Sequence, residues 1–309
     1  MTDVRAVAQE YLALRRSLGV KLVEAERMLN GFLDHLEARG ASTVTVELAL
    51  EWATLPREAT PWWWRQRLSA VRGFARYLQA FDARAEVPPT GLIYSRAPRA
   101  TPYVFKDDEL ARLLSAASEL RPALRGATYR TLLGLLAVSG MRVSEAFWLD
   151  DCDVDTDEAL IVVRHGKCGK ERELVVHPST ADALGEYRRV RRRFCARPKA
   201  PAFFVSTRGT RLHYSNVLLV FHQLLDEVGI RATQAKGRTP RLHDFRHRFA
   251  ITSLLAWYRD GLDVQRRLPV LSTYLGHANP ADTYWYLSAT PELLAMAVKR
   301  LEDAWAVLP

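Results

Sequence analysis

Cysteine is scarce in this chain: Cys152, Cys168 and Cys195 are the only three in 309 residues. Their number is odd and no Cys-x-x-Cys pair occurs, which argues against a disulfide framework and a structural zinc site and fits a reducing compartment. No stretch of about 18 apolar residues occurs, so no membrane span is expected. The opening Met1-Thr2-Asp3-Val4-Arg5 has neither an apolar core nor a cleavage site, so a cytoplasmic protein without a signal peptide is expected. Internal repeats and low-complexity tracts are absent. Lysine is rare as well, with seven residues in the whole chain.

The hydrophobic content of 48% is ample for packed cores, and the length suits about two domains of roughly 100 to 200 residues each. Lys plus Arg total 44 against 35 Asp plus Glu, a formal charge of +9 with a sequence pI near 9.6. Such a balance attracts polyanions and makes nucleic acid the leading partner class. With lysine so rare, arginine carries nearly all of the charge, and its planar fork suits phosphate. A GC-rich genome would produce the same arginine bias.

Apolar periodicity predicts helices over residues 3–18 and 22–38, ended by Gly19 and Gly40, then a short one from Val46 to Ala53. Thr60-Pro61, a capping residue followed by proline, opens a fourth helix reaching about Phe81. Four prolines, a glycine and two arginines between Pro88 and Pro102 read as a linker. Beyond it, helices are expected at Asp107 to Ala117, Tyr129 to Val138 and Arg142 to Leu149. The β-branched runs Leu160 to Val163 and Glu173 to Val176 read as a hairpin across His165 to Lys170. Helices resume from Thr180 and continue at Asn216 to Val228, Asp244 to Tyr258 and Pro291 to Trp305.

Four separated segments place polar residues in apolar surroundings. Ser139 to Glu145 sets Arg142 at a helix start just after a glycine, where backbone donors and the positive dipole end favour an anion. Lys167 sits in the hairpin turn, where an amine can serve as a proton donor, and Lys170 competes for that role. In Leu242 to His247 the three-residue step puts His243 and Arg246 on one helix face. His243 and His247 have a metal-ligand spacing, but no third ligand is evident, so no metal is expected. Leu275-Gly276-His277 is followed by Asn279-Pro280, which starts a helix carrying Tyr284 and Tyr286. Singly, each segment has an ordinary structural explanation: an exposed arginine, a solvated turn lysine, core aromatics.

Together, the order Arg142, Lys167, His243-x-x-Arg246, Leu-Gly-His277 and Tyr286 resembles the tyrosine recombinase (phage integrase) family. The nine-residue step from His277 selects Tyr286 over Tyr284. The resemblance implies a mainly α protein with a small antiparallel β-sheet, built as a two-domain DNA clamp. Its parts would be a helical, SAM-like core-binding domain at 1–87, a linker at 88–102 and an α+β catalytic domain at 103–309 with a C-terminal tail helix. The implied activity is site-specific DNA recombination through a 3′-phosphotyrosyl intermediate and Holliday-junction strand exchange, with no cofactor, ATP or metal. Tyr286 would be the nucleophile, Arg142, Arg246 and His277 would stabilise the transition state, His243 would help deprotonate the tyrosine and Lys167 would protonate the leaving oxygen. Glu145 would orient Arg142.

Arg65, Arg67, Arg72 and Arg76 along the fourth helix, with Lys170 and Arg241, are candidate contacts to double-stranded DNA. Of the three adjacent tryptophans, Trp62 to Trp64, a core anchoring role is expected; the basic run Arg188 to Arg193 reads first as a solvated face. The resemblance further implies a homotetramer on synapsed DNA sites, with the Leu294, Val298, Leu301, Trp305 stripe docked on a neighbouring subunit, a monomer without DNA, and a place on the bacterial nucleoid. Two features depart from compact Xer-like members: the longer span Trp257 to Leu268, and Leu287 after Tyr286. The Tyr284 to Pro291 stretch suggests kinship with recombinases of transposons and other mobile elements. The alternatives are a type IB topoisomerase-like nicking and closing enzyme, or a DNA-binding accessory subunit with an idle site.

Overall fold

The computed structural model describes residues 3–20, 22–95, 102–164, 166, 171–230 and 239–305. The chain divides into two compact units, Met1–Arg99 and Ala100–Pro309.

The first unit holds α1 (Val4–Ser17), α2 (Val23–Ala38), α3 (Val46–Thr54) and α4 (Pro61–Leu78). Three of the four starts are capped by side chains: Asp3 accepts from the amides of Arg5 and Ala6, Thr45 from Leu48 and Thr60 from Trp63. Leu12, Leu29, Phe32, Trp52, Leu68, Val71 and Phe74 make one core. The tryptophan triplet does not anchor it, contrary to expectation. Trp62 is 42% exposed and Trp64 is only half-buried, donating its indole N–H to the Pro56 carbonyl at 2.8 Å. The buried face of α4 begins at Leu68, past the first turn, and the buried tryptophan is Trp52 of α3. The first half of the proline-rich stretch is fastened to α4: Arg72 donates to the carbonyls of Pro88 and Pro89, and Arg65 to that of Ser95.

The second unit is built around α6 (Ala123–Ser139), which is apolar nearly all round and packs against α5 (Asp107–Glu119), α8 (Pro178–Phe194) and α10 (Asp244–Arg259). It begins six residues before the expected Tyr129. Gly126 permits this, because a Cβ there would lie 2.7 Å from the Ser118 carbonyl oxygen. After α6 come α7 (Val143–Trp148) and a three-stranded antiparallel sheet of β1 (Val154–Asp155), β2 (Leu160–Val163) and β3 (Arg172–Val175). In the β2–β3 register Ile161 faces Leu174 and Val163 faces Arg172. The second hairpin strand thus starts one residue earlier than expected and includes Arg172, on the same face as the buried Leu174.

The remaining elements are α9 (Tyr214–Glu227), α11 (Val264–Leu275), α12 (Ala281–Tyr284), a 3₁₀ turn at Trp285–Ser288 and α13 (Pro291–Trp305). The long span Trp257 to Leu268 is the end of α10, a turn at Gly261 with φ +68°, and the start of α11. Pro269 inside α11 hid that helix from the periodicity. Within the basic run of α8, Arg188 and Arg191 point inward: Arg188 binds Asp151 and the Asp151 and Val154 carbonyls, and Arg191 the carbonyls of Ala202 and Phe203. Arg192 and Arg193 remain exposed. The tail helix packs on its own unit, with Leu293 fully buried, Glu292 paired to Arg259 at 2.7 Å and Arg300 donating to the Leu262 carbonyl. Leu294 and Val298 stay exposed, and the side chains of Leu301 and Trp305 lie outside the described residues. Among the described residues no helix is long and apolar enough to cross a membrane.

Candidate active site

The ends of two helices supply the frame. Gly140 closes α6 in the left-handed conformation (φ +59°), and a Cβ there would lie 2.4 Å from Phe249. The chain then turns into α7, where the Glu145 carboxylate reaches back to the helix start and accepts twice from Arg142: from its amide at Oε2, 2.7 Å, and from Nη1 at Oε1, 2.8 Å. Glu145 is 2% exposed, so its charge needs these partners. Burial pushes its carboxyl up, but the hydrogen bond and charge of Arg172 and the hydrogen bonds from Arg142 outweigh that and hold it below the usual carboxylate range.

The second frame is the C-terminus of α11. Gly276 ends it with φ +68°, and three successive carbonyls there, the kind a helix end leaves unpaired, each receive a different arginine. Arg172 Nε donates to Tyr274 at 3.0 Å, Arg246 Nη2 to Leu275 at 2.7 Å and Arg142 Nη2 to Gly276 at 2.9 Å. Arg246 also donates through Nη1 to the Gly140 carbonyl at 2.9 Å, so its fork joins the two helix ends. The negative ends of both dipoles face these cations. Arg246 is 2% exposed; burial, then the neighbouring Arg142 charge, lowers its pKa to about 10. It stays protonated at neutral pH in a cluster of three guanidinium groups around the Glu145 carboxylate, where the Asp282 charge also acts on His277 and Tyr286. Such a cluster favours an anion.

Tyr286 lies in the 3₁₀ turn after α12 and is 2% exposed, whereas Tyr284 is 51% exposed. The Tyr286 hydroxyl is 3.1 Å from His247 Nδ1 on α10, and its ring is stacked on His277 at 6.3 Å between centroids. Burial raises the phenol pKa, and the positive charges of Arg246 and Arg142 only partly offset this. At neutral pH the phenol therefore keeps its proton. His277 Nδ1 is 2.6 Å from the hydroxyl of Thr283, a buried residue. When Thr283 donates there, the ring's other nitrogen carries the hydrogen and becomes the donor. Burial, then Arg246 and Arg142, lowers the His277 pKa to about 4, so the ring is neutral at pH 7.

Five of the expected residues, Arg142, Glu145, Arg246, His277 and Tyr286, therefore converge. His243 is exposed at the start of α10, its ring 4.7 Å from that of His247, and the histidine against the Tyr286 hydroxyl is His247. Lys167 and Lys170 lie outside the described residues. Arg241 is exposed, its amide capping on Asp244 at 2.6 Å. Of the four α4 arginines, Arg67 lies over the Trp52 ring at 3.6 Å and donates to the Trp52 carbonyl, Arg65 and Arg72 hold the proline-rich stretch, and Arg76 is exposed. Sequence reasoning missed Arg172, His247 and Thr283. The β3 alternation signals Arg172, and the four-residue step from His243 signals His247. Among the described residues no group of three or more His, Cys, Asp or Glu is placed to hold a metal ion.

The profile of the phage integrase family matches residues 104–292. A putative integrase/recombinase of Sinorhizobium fredii, y4rB, is 46% identical over 99% of both chains. The tyrosine recombinase XerD of Caulobacter vibrioides is 32% identical over 76% of this chain and 73% of its own. Among solved structures, the Tn1549 transposon integrase bound to transposon right-end DNA superimposes with a TM-score of 0.68 at 17% identity, covering 96% of this chain and 98% of that one. The chain belongs to the phage integrase family and is a DNA recombinase of the tyrosine type.

Proposed function

We propose that Tyr286 attacks a scissile DNA phosphate and that Arg142, Arg246 and His277 stabilise the resulting transition state. One observation carries this reading: residues from three distant segments meet so that two guanidinium groups docked on the α11 end lie beside a buried tyrosine hydroxyl held by a histidine. As the phenol oxygen bonds to phosphorus, the P–O5′ bond breaks and a 3′-phosphotyrosyl link conserves its energy for rejoining. The phenol proton passes to His247, which touches it, or onward to His243; Lys167 returns a proton to the 5′ oxygen. The arginine forks and the second ring N–H of His277 neutralise charge on the non-bridging oxygens.

The same reading takes the two units as a clamp on the duplex, Arg76, Arg241 and Lys170 as phosphate contacts, and four copies as the assembly that exchanges strands. The exposed Leu294 and Val298 are the part of the tail available to a neighbouring copy. A nicked suicide duplex tests the chemistry: wild-type protein forms a covalent adduct, Tyr286→Phe forms none, and Tyr284→Phe still does. Adduct formation by Tyr286→Phe would sink the assignment. Recombinant products from a two-site substrate separate strand exchange from mere nicking and closing.

A further inference from the structure

Arg172 has no place in the reaction as described, yet its contacts are those of the site. Its Nη1 and Nη2 grip the two Glu145 oxygens at 2.9 and 2.7 Å, and its Nε reaches the Tyr274 carbonyl at 3.0 Å. Glu145 Oε1 also accepts from Arg142 Nη1, so one buried carboxylate is shared by two arginines. Its guanidinium lies flat against Gly276: a Cβ there would fall 2.9 Å from Nη1 and 3.0 Å from Cζ. Hence the glycine before His277 serves two needs, a positive φ and room for Arg172.

Without Arg172, Arg142 is the one cationic partner that Glu145 keeps among the described residues, and the carboxylate is free to rotate about its own side chain. Arg142 would then follow the carboxylate rather than the α11 end. We propose that Arg172 is a positioning residue for strand transfer: by fixing the second edge of Glu145 and the Tyr274 carbonyl, it holds the Arg142 fork where the phosphate charge is met. It acts through Glu145 and Arg142 on the reacting oxygens. The inference rests on the recombinase reading above. Arg172 also stands five residues after Lys167, at the root of the same hairpin, so an alternative route of action runs through the leaving group.

Three suicide duplexes distinguish these routes: one with an ordinary scissile phosphate, one with a methylphosphonate that lacks the non-bridging charge, and one with a 5′-bridging sulfur that leaves without a general acid. Adduct formation is measured with wild type, Arg142→Ala, Arg172→Met and Arg172→Lys, with DNA affinity measured beside it. On ordinary phosphate Arg172→Met is expected to cleave about 10²-fold slower, as for a displacement of the reacting groups by about 1 Å, with its affinity for DNA unchanged. Arg172→Lys keeps the charge but cannot span both oxygens, and should fall in between. Both deficits shrink to a few-fold on the methylphosphonate, in parallel with Arg142→Ala, and persist on the sulfur substrate. Rescue by sulfur alone, equal loss on all three duplexes, or full activity on ordinary phosphate overturns the proposal. If wild type forms no adduct at all, or Tyr286→Phe does, the recombinase reading itself has failed instead.

Discussion

Guanidinium groups docked on backbone carbonyls occur in both units, with different consequences. In α4, Arg67 and Arg72 bind the carbonyls of Trp52, Pro88 and Pro89, and burial lowers the pKa of each. In the second unit, Arg142, Arg172 and Arg246 bind the carbonyls of Gly276, Tyr274 and Leu275 in much the same way. The first set clips one chain segment to another. The second gathers three cations around the Glu145 carboxylate and a buried phenol, with the Asp282 charge also acting on the phenol and on His277. Hydrogen-bond geometry alone does not separate a structural arginine from an anion site, and neither does repulsion between cations, since beyond burial Arg76 and Arg65 also lower the pKa of Arg72; what sets the second cluster apart is the buried phenol on which Arg246 and Arg142 act.

The largest effect that would break this comparison is on Arg246. Arg246→Ala should slow adduct formation by about 10²- to 10³-fold, the usual loss for one preorganised donor, and, because it leaves the Gly140 and Leu275 carbonyls unpaired, should also cost about 1–3 kcal/mol of stability. Arg191→Ala offers the contrast. Its fork holds the Ala202 and Phe203 carbonyls and pairs with Asp151, so removal should cost about 1–3 kcal/mol of stability, while the folded fraction still cleaves. Denaturant midpoints and cleavage rates for both variants decide the matter. Comparable losses of rate in both would erase the distinction between clip and site.

Thr283→Val comes next. It preserves shape but removes the hydroxyl at His277 Nδ1. Cleavage should fall about tenfold, a part of what losing a whole donor costs, and Thr283→Ser should restore it. An unchanged rate would mean that His277 needs no help to present its other nitrogen.

Much of this was legible before any coordinates. The motif spacing picked out Arg142, Glu145, Arg246, His277 and Tyr286, which do converge, and capping signals located α4 and the turn before Ala281. What sequence could not supply was direction. Arg188 and Arg191 sit in an apparently solvated basic run, yet helical spacing turns both toward Asp151. Arg172 was hidden because one residue of strand register decides whether it faces the sheet's buried side. The His-x-x-Arg spacing points to His243, the first histidine, while the helix start places the second, His247, against the tyrosine.

The smallest expected effect is a titration that compares one histidine from each unit. His277 has its pKa lowered to about 4, first by burial and then by Arg246 and Arg142; His35 is lowered by burial, then by Arg39 and Arg67. For His277 the unfolded chain takes up a proton near pH 6.5 and the folded one only near pH 4. Between those values the unfolded state binds more protons, so stability falls as the pH is lowered through this window, and His277→Asn should lessen the slope. His35 contributes with the same sign, and pH alone therefore cannot tell the two units apart. An anion can. Sulfate held between Arg142 and Arg246 offsets the charges that depress His277 and should raise its titration midpoint, followed by the ring proton resonance. At His35 one arginine, Arg67, is docked on the Trp52 carbonyl and the other, Arg39, is paired with Glu51, so its midpoint should stay within a few tenths of a unit, apart from general screening. If both midpoints rise together, the three-arginine cluster is no more an anion site than α4 is.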